Sequence, residues 1–171
     1  PENHVKEKHE PRQCYAAWQK DRKERKYSAS GGIAFGFYKR WIQNAGIVYG
    51  AAFNEKGILT QQKAETLEEI KKFRGSKYAQ SHTGFVYSDI GKELKKGEKV
   101  LFIGTPCQIA GLKAYLGKAS DALVTIDLIC HGTPPMSYLE EYIKEIAGAE
   151  KVDRVSFRGE KDYHMVFYSQ D

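Results

Sequence analysis

The chain has 171 residues, 41% of them hydrophobic and 29% charged, which suits one globular domain with a core of its own. No apolar run approaches the roughly 20 residues a membrane helix needs, and nothing reads as a secretory signal. Of the net charge of +5, residues 1–27 carry eight Lys/Arg against five Asp/Glu, and the remainder nineteen against seventeen. The excess therefore sits in a solvated leader and loop, not in the clustered basic face that nucleic acid requires.

In chain order, the leader to residue 27 is charged and contains CYAAW (Cys14 to Trp18), which reads as a short first strand. SASGG (Ser28 to Gly32) then opens a helix to about Asn44. Its apolar residues Ile33, Phe35, Phe37, Tyr38, Trp41 and Ile42 lie on more than one face, so it is expected to be largely buried. IVYGAAF (Ile47 to Phe53) and GILTQQ (Gly57 to Gln62) form a hairpin around Asn54-Glu55-Lys56. Thr66 and Glu69 make a capping box for a helix through Phe73. A further helix fits Gly84 to Lys96, with Val86, Ile90 and Leu94 on one stripe.

A strand at Val100–Ile103, a helix at Gln108–Leu116 and a strand at Leu123–Ile129 follow. Ser137 and Glu140 make a second capping box, for a helix whose Leu139, Ile143 and Ile146 face a core. Strands at Val152–Phe157 and His164–Tyr168 finish the chain. The expected fold class is α/β: a layered sandwich with a mixed, partly parallel sheet and a βαβ unit at 100–129. The expected organisation is a leader and first strand over 1–27 and an α/β core over 28–171. The start at Pro1 and the stop just past a strand-like run suggest a fragment of a longer protein.

Cys14, Cys107 and Cys130 are odd in number and form no CxxC pair, which favours a reducing, cytoplasmic compartment. Crossovers of the 100–129 kind join parallel strands, so Cys107 and Cys130 are expected on one carboxyl edge, where open α/β sheets bind ligands. Gly104 permits close approach, Pro106 stiffens the turn, and the helix dipole favours a thiolate or anion at Cys107. A phosphatase-type nucleophile would want Arg six residues on, where Lys113 stands. Zinc held by Cys107, Cys130 and His82 or His131 lacks paired ligand spacing. An iron–sulfur cluster usually needs four thiolates. A small buried hydrophobe is the plainest alternative. For Cys14 core packing in the strand is expected ahead of the alternative, a third ligand.

In SASGG, Ser28, Ser30, Gly31 and Gly32 bring free amides and hydroxyls to a helix N-terminus, a phosphate cradle in principle. In RGSKYAQS (Arg74 to Ser81), Arg74 and Lys77 are cations suited to a pyrophosphate, and Tyr78 can flank a ring.

CYAAWQKD, SASGG, GIVYGAAF, RGSKYAQS, KVLFIGTPCQIAGLKAYLG, DLICHGTPP and VSFRGEKDY, in this order, resemble the coenzyme F420 hydrogenase/dehydrogenase beta-subunit family from Cys14 to Tyr163. The resemblance implies a flavin-dependent oxidoreductase that relays electrons between an iron–sulfur cluster (4Fe-4S) and FAD. Its electron partner is a donor or acceptor protein or subunit, or a deazaflavin coenzyme of the F420 type. It also implies Cys107 and Cys130 as cluster ligands, and FAD contacts from Ser28, Ser30, Gly31, Gly32, Gly75, Ser76, Lys77, Tyr78, Thr105 and Gln108. The family's usual cysteine-rich segment before CYAAW has no counterpart in this leader. The alternative is a non-redox nucleotide-binding or subunit-interaction module on the same scaffold.

Overall fold

The computed structural model describes residues 11–147, 152, 154–158 and 164–168. The first ten leader residues and the Gly159–Tyr163 part of VSFRGEKDY lie outside them. Helix α1 (Arg22–Lys26) and a 3-10 turn (Ser30–Gly32) lead into α2 (Ile33–Gln43). Strands β1 (Ile47–Phe53) and β2 (Leu59–Ala64) form the hairpin. A 3-10 segment (Glu69–Phe73), α3 (Val86–Lys95), β3 (Val100–Gly104), α4 (Pro106–Leu116) and β4 (Leu123–Asp127) follow. Last come α5 (Met136–Ala147), β5 (Arg154–Ser156) and β6 (Val166–Tyr168).

Four strands share one sheet in the order β2-β1-β3-β4, and β5 and β6 pair separately. β1 and β2 are antiparallel, whereas β1–β3 and β3–β4 are parallel. The mixed sheet and the βαβ unit are as expected.

β3 is buried at every residue, as a central parallel strand covered on both faces must be, and this is why VLFI reads as one apolar run. Val48, Leu101 and Ile103 pack with Phe35 and Tyr38 of α2 and with Ile70 and Phe73. On the other face, Tyr49, Val100 and Phe102 pack with Val86 and Ile90 of α3 and Ile109 and Leu112 of α4. Each such fully buried side chain contributes about 1.5–3 kcal/mol. A third cluster joins Leu59, Ala79, Phe157 and, from α5, Met136 and Leu139. The outer edge of β2 is covered by the loop before α3: Gln61 N donates to His82 O at 2.8 Å and His82 N to Leu59 O at 3.0 Å.

Four local expectations are corrected. CYAAW is not a strand; residues 14–18 are exposed, and Cys14 lies on the surface rather than in a core. In α2 only Phe35 and Tyr38 are buried, with Trp41 and Ile42 packed partly beside them, while Phe37 is 49% exposed. One face of α2 meets the sheet and the other meets solvent. The Thr66–Glu69 box forms, Glu69 N donating to Thr66 Oγ1 at 3.2 Å and Thr66 N to Glu69 Oε2 at 3.0 Å, but the turn it starts is 3-10. Ser137 caps nothing, because α5 already begins at Met136; Leu139 is buried, but Ile146 is 54% exposed.

Candidate functional site at the carboxyl edge of the sheet

The parallel strands end together. Gly104 pairs with Asp127, and Leu128 N donates to Gly104 O at 2.9 Å, so β3 and β4 leave the sheet side by side. α4 begins directly after β3, so its N-terminus faces this edge. The same connectivity brings the starts of α2 and α3 there, since each runs back to the opposite edge before the next parallel strand. Three positive dipole ends therefore converge on one rim.

Cys107 sits in the first turn of α4 and is exposed, with its Sγ 3.1 Å from Thr105 Oγ1. Cys130, three residues past β4, is also exposed, and its Sγ accepts a hydrogen bond from Gly132 N at 3.3 Å. Both thiols thus emerge beside the paired ends of β3 and β4. Exposure corrects the plainest alternative for Cys107, a small buried hydrophobe. Among the described residues no group of three or more His, Cys, Asp or Glu side chains is arranged to hold a metal ion.

Gln108 plays a different part from the one its motif suggests. It is buried, and all four of its side-chain hydrogen-bonding positions are used inside the chain. Nε2 donates to Ser81 O at 3.1 Å and Ser81 Oγ at 2.9 Å; Oε1 accepts from Thr105 N at 3.1 Å and Gln61 Nε2 at 3.2 Å. Thr105 and Gln108 close a capping box at the head of α4. The Thr-x-x-Gln spacing of TPCQ is itself the signal for this box, and the sequence reading passed over it. Gln108 therefore positions the turn that carries Cys107, and Thr105 is half-buried in that turn.

In SASGG, Ser30, Gly31 and Gly32 all have positive φ (49°, 72° and 77°). Only glycine takes such angles at little cost, and here it also makes room for the chain itself. A Cβ on Gly31 would lie 3.0 Å from Trp18 Cβ and 3.2 Å from Ala17 O. Gln19 N donates to Gly31 O at 2.8 Å, and Gln19 Nε2 to Gly32 O at 3.3 Å. The leader is thus strapped across the turn. Ser28 Oγ is buried there with no hydrogen-bond partner among the described residues, at the head of α2.

Arg74 is not a loose cation. Its guanidinium pairs with Glu24 and lies 4.1 Å from the centre of the Phe35 ring. Lys77 Nζ donates to Arg74 O at 2.9 Å and Lys72 O at 3.1 Å, closing the end of the 3-10 segment. Burial lowers its pKa to about 8. Gly75 (φ 76°) faces open space, and Ser76 is half-buried. Tyr78 is 45% exposed, meets Phe157 edge-on at 5.8 Å and accepts a hydrogen bond from Arg158 Nη2.

The expected site residues therefore fall into two groups. Thr105, Cys107, Gln108 and Cys130 gather at the β3–β4 exit. Arg74, Gly75, Ser76, Lys77 and Tyr78 follow the 3-10 segment, and Arg74 reaches α2 through Phe35. No hydrogen bond joins the Ser28–Gly32 turn to the Thr105–Gln108 turn among the described residues.

Comparison with known proteins bears on this arrangement. Residues 97–171 match the family described as the C terminus of the coenzyme F420 hydrogenase/dehydrogenase beta subunit. From residue 97 onward the chain is similar to this beta-subunit family. The match begins three residues before β3 and takes in GTPCQ and LICHG, hence both thiols of the carboxyl edge. Among solved structures, the F420-reducing NiFe hydrogenase complex from Methanosarcina barkeri, studied as a xenon derivative, is similar over 89% of this chain with a TM-score of 0.60. Identity is 18%, so this likeness speaks for the fold. The chain covers 58% of the hydrogenase chain it matches. No curated protein matches. As in the sequence, no helix among the described residues is long and apolar enough to cross a membrane.

Proposed function

We propose that the chain is the core of an FAD-dependent oxidoreductase that relays electrons between an iron–sulfur cluster (4Fe-4S) and the flavin. The electron partner is another protein or subunit, or a deazaflavin coenzyme of the F420 type. The observation that carries this reading is the pair of exposed thiols, Cys107 and Cys130, beside the joined ends of β3 and β4, within the residues 97–171 that match the beta-subunit family.

Two thiols fit half of a four-thiolate cluster, so the other ligands come from outside the described carboxyl edge. For FAD, the proposed pyrophosphate contacts are the Ser28–Gly32 turn at the head of α2, the open space at Gly75 and the remaining N–H of Lys77. Tyr78, Ser76 and Thr105 complete the proposed contacts, and Gln108 acts by holding the turn. A bound flavin supplies one- and two-electron chemistry; the protein binds it, orients it and sets its electrostatic surroundings.

The test is a pair of titrations, FAD and riboflavin, on the wild type and Lys77→Ala. A charge-assisted contact is worth roughly 1.5–3 kcal/mol, so FAD should weaken about tenfold or more while riboflavin, lacking phosphate, hardly responds. Equal losses for both ligands would remove Lys77 from the pyrophosphate. Absence of FAD binding to the wild type would favour a non-redox module instead.

A further inference from the structure

We propose that Tyr87 is a positioning residue for the Cys107 thiol: its hydroxyl seats in a slot of α4 at Gly111 and ties the first turn of that helix to α3.

Tyr87 is the second residue of α3 and is half-buried. Its Oη donates to Gln108 O at 2.8 Å, the carbonyl of the residue that follows Cys107. A Cβ on Gly111 would lie 2.9 Å from that hydroxyl and 3.2 Å from the ring Cε2, too close for the tyrosine to stay where it is. The ring centre is 6.2 Å from that of Tyr115. Gln108, Gly111 and Tyr115 follow one another at helical spacings of three and four, so Tyr87 lies along a single stripe of α4. The same ring meets Phe102 edge-on at 6.5 Å and is thereby backed by the buried strand β3.

Glycine inside a helix weakens it, because it loses more freedom on folding than any other residue. α4 nevertheless carries Gly111 one turn after Cys107, where it makes room for a hydroxyl. For packing alone, phenylalanine against alanine would fill the same space with no polar group to satisfy. The hydroxyl adds a bond to the main chain of the first turn. Gln108 is therefore held twice, its side chain by Ser81, Gln61 and Thr105 and its carbonyl by Tyr87. Cys107 is exposed, so the backbone of this turn decides where Sγ stands. Burial raises the Tyr87 phenol above its ordinary pKa and negative charge at Cys107 raises it further, which puts the hydroxyl within electrostatic reach of the thiol. The use of the held thiol as a cluster ligand rests on the proposed function; its placement by Tyr87 does not.

The test needs neither iron nor flavin. A nitroxide is attached through a disulfide to Cys107 of the full chain, with Cys14→Ser and Cys130→Ser, and its mobility is read by EPR. A label on Cys130, with Cys14→Ser and Cys107→Ser, is the control. Tyr87→Phe removes only the hydroxyl, so the fold should persist. The net worth of one hydrogen bond is a factor of about three or more, so the rotational correlation time at Cys107 should shorten about threefold. The Cys130 label should keep its own. Gly111→Ala crowds the hydroxyl out of its slot and should loosen Cys107 likewise, whereas adding it to Tyr87→Phe should loosen the label no further. Unchanged mobility at Cys107 in Tyr87→Phe would overturn the proposal. So would equal loosening at both labels, the mark of a packing role alone, or additive effects of Tyr87→Phe and Gly111→Ala.

Discussion

Ser81 and Gln108, 27 residues apart, are joined twice: Gln108 Nε2 reaches both the carbonyl and the hydroxyl of Ser81. Through the same side chain Thr105 N and Gln61 are tied in, so the loop beside β2 and the turn carrying Cys107 form one polar unit inside the fold. The unit fixes where α4 begins and therefore where its first-turn thiol emerges.

Gln108→Leu should show what this unit is worth. The substitution keeps approximate size but leaves Thr105 N and the Ser81 carbonyl without their partner. An orphaned buried group costs about 1–3 kcal/mol, and these two are part-buried, so a loss near 2–4 kcal/mol in total is expected in urea unfolding. Gln108→Glu retains the acceptor for Thr105 N yet turns a carboxylate toward the Ser81 carbonyl, and it should also destabilise the chain. A loss below about 0.5 kcal/mol in both variants would mean that the network is idle.

Lys77 gives a pH signature. Its pKa is near 8 in the fold and near 10.5 unfolded, with burial as the cause. The unfolded chain therefore binds more protons between these values, and stability rises with pH across the window. The gain is complete above about pH 10.5 and is lost as pH falls through 8. Urea midpoints collected from about pH 7 to 10.5 should rise for the wild type more than for Lys77→Met. Parallel curves for the two proteins would show that Lys77 is not held in a desolvated site.

Much of the scaffold is legible in the sequence because its signals are local. VLFI followed by Gly-Thr-Pro, a helical segment and a second apolar run specify the parallel β3–α4–β4 unit, and with it the shared edge of Cys107 and Cys130. The hairpin and the Thr66–Glu69 box are equally plain. What fails is long-range. CYAAW has the look of a strand, yet it finds no partner and lies exposed. The glycines of SASGG read as a phosphate cradle, while part of their use is to admit Trp18 and Gln19 of the same chain. Nothing local marks Arg74 as the partner of Glu24, 50 residues earlier. Tyr49 looks like one more strand aromatic until the β1–β2 register sets it across from Lys63.

The central claim concerns the two thiols, and iron content tests it most directly. The protein should be purified anaerobically with its natural partners, as wild type, Cys107→Ser, Cys130→Ser and Cys14→Ser, and each assayed for iron per chain and for visible absorption. Both cysteines lie on the surface, so Ser at either position should leave the fold intact by circular dichroism. Cys107→Ser and Cys130→Ser should each lose most of the iron and the broad visible band, while Cys14→Ser keeps both. Wild-type iron levels in the Cys107→Ser and Cys130→Ser proteins would contradict a cluster at the carboxyl edge of this sheet.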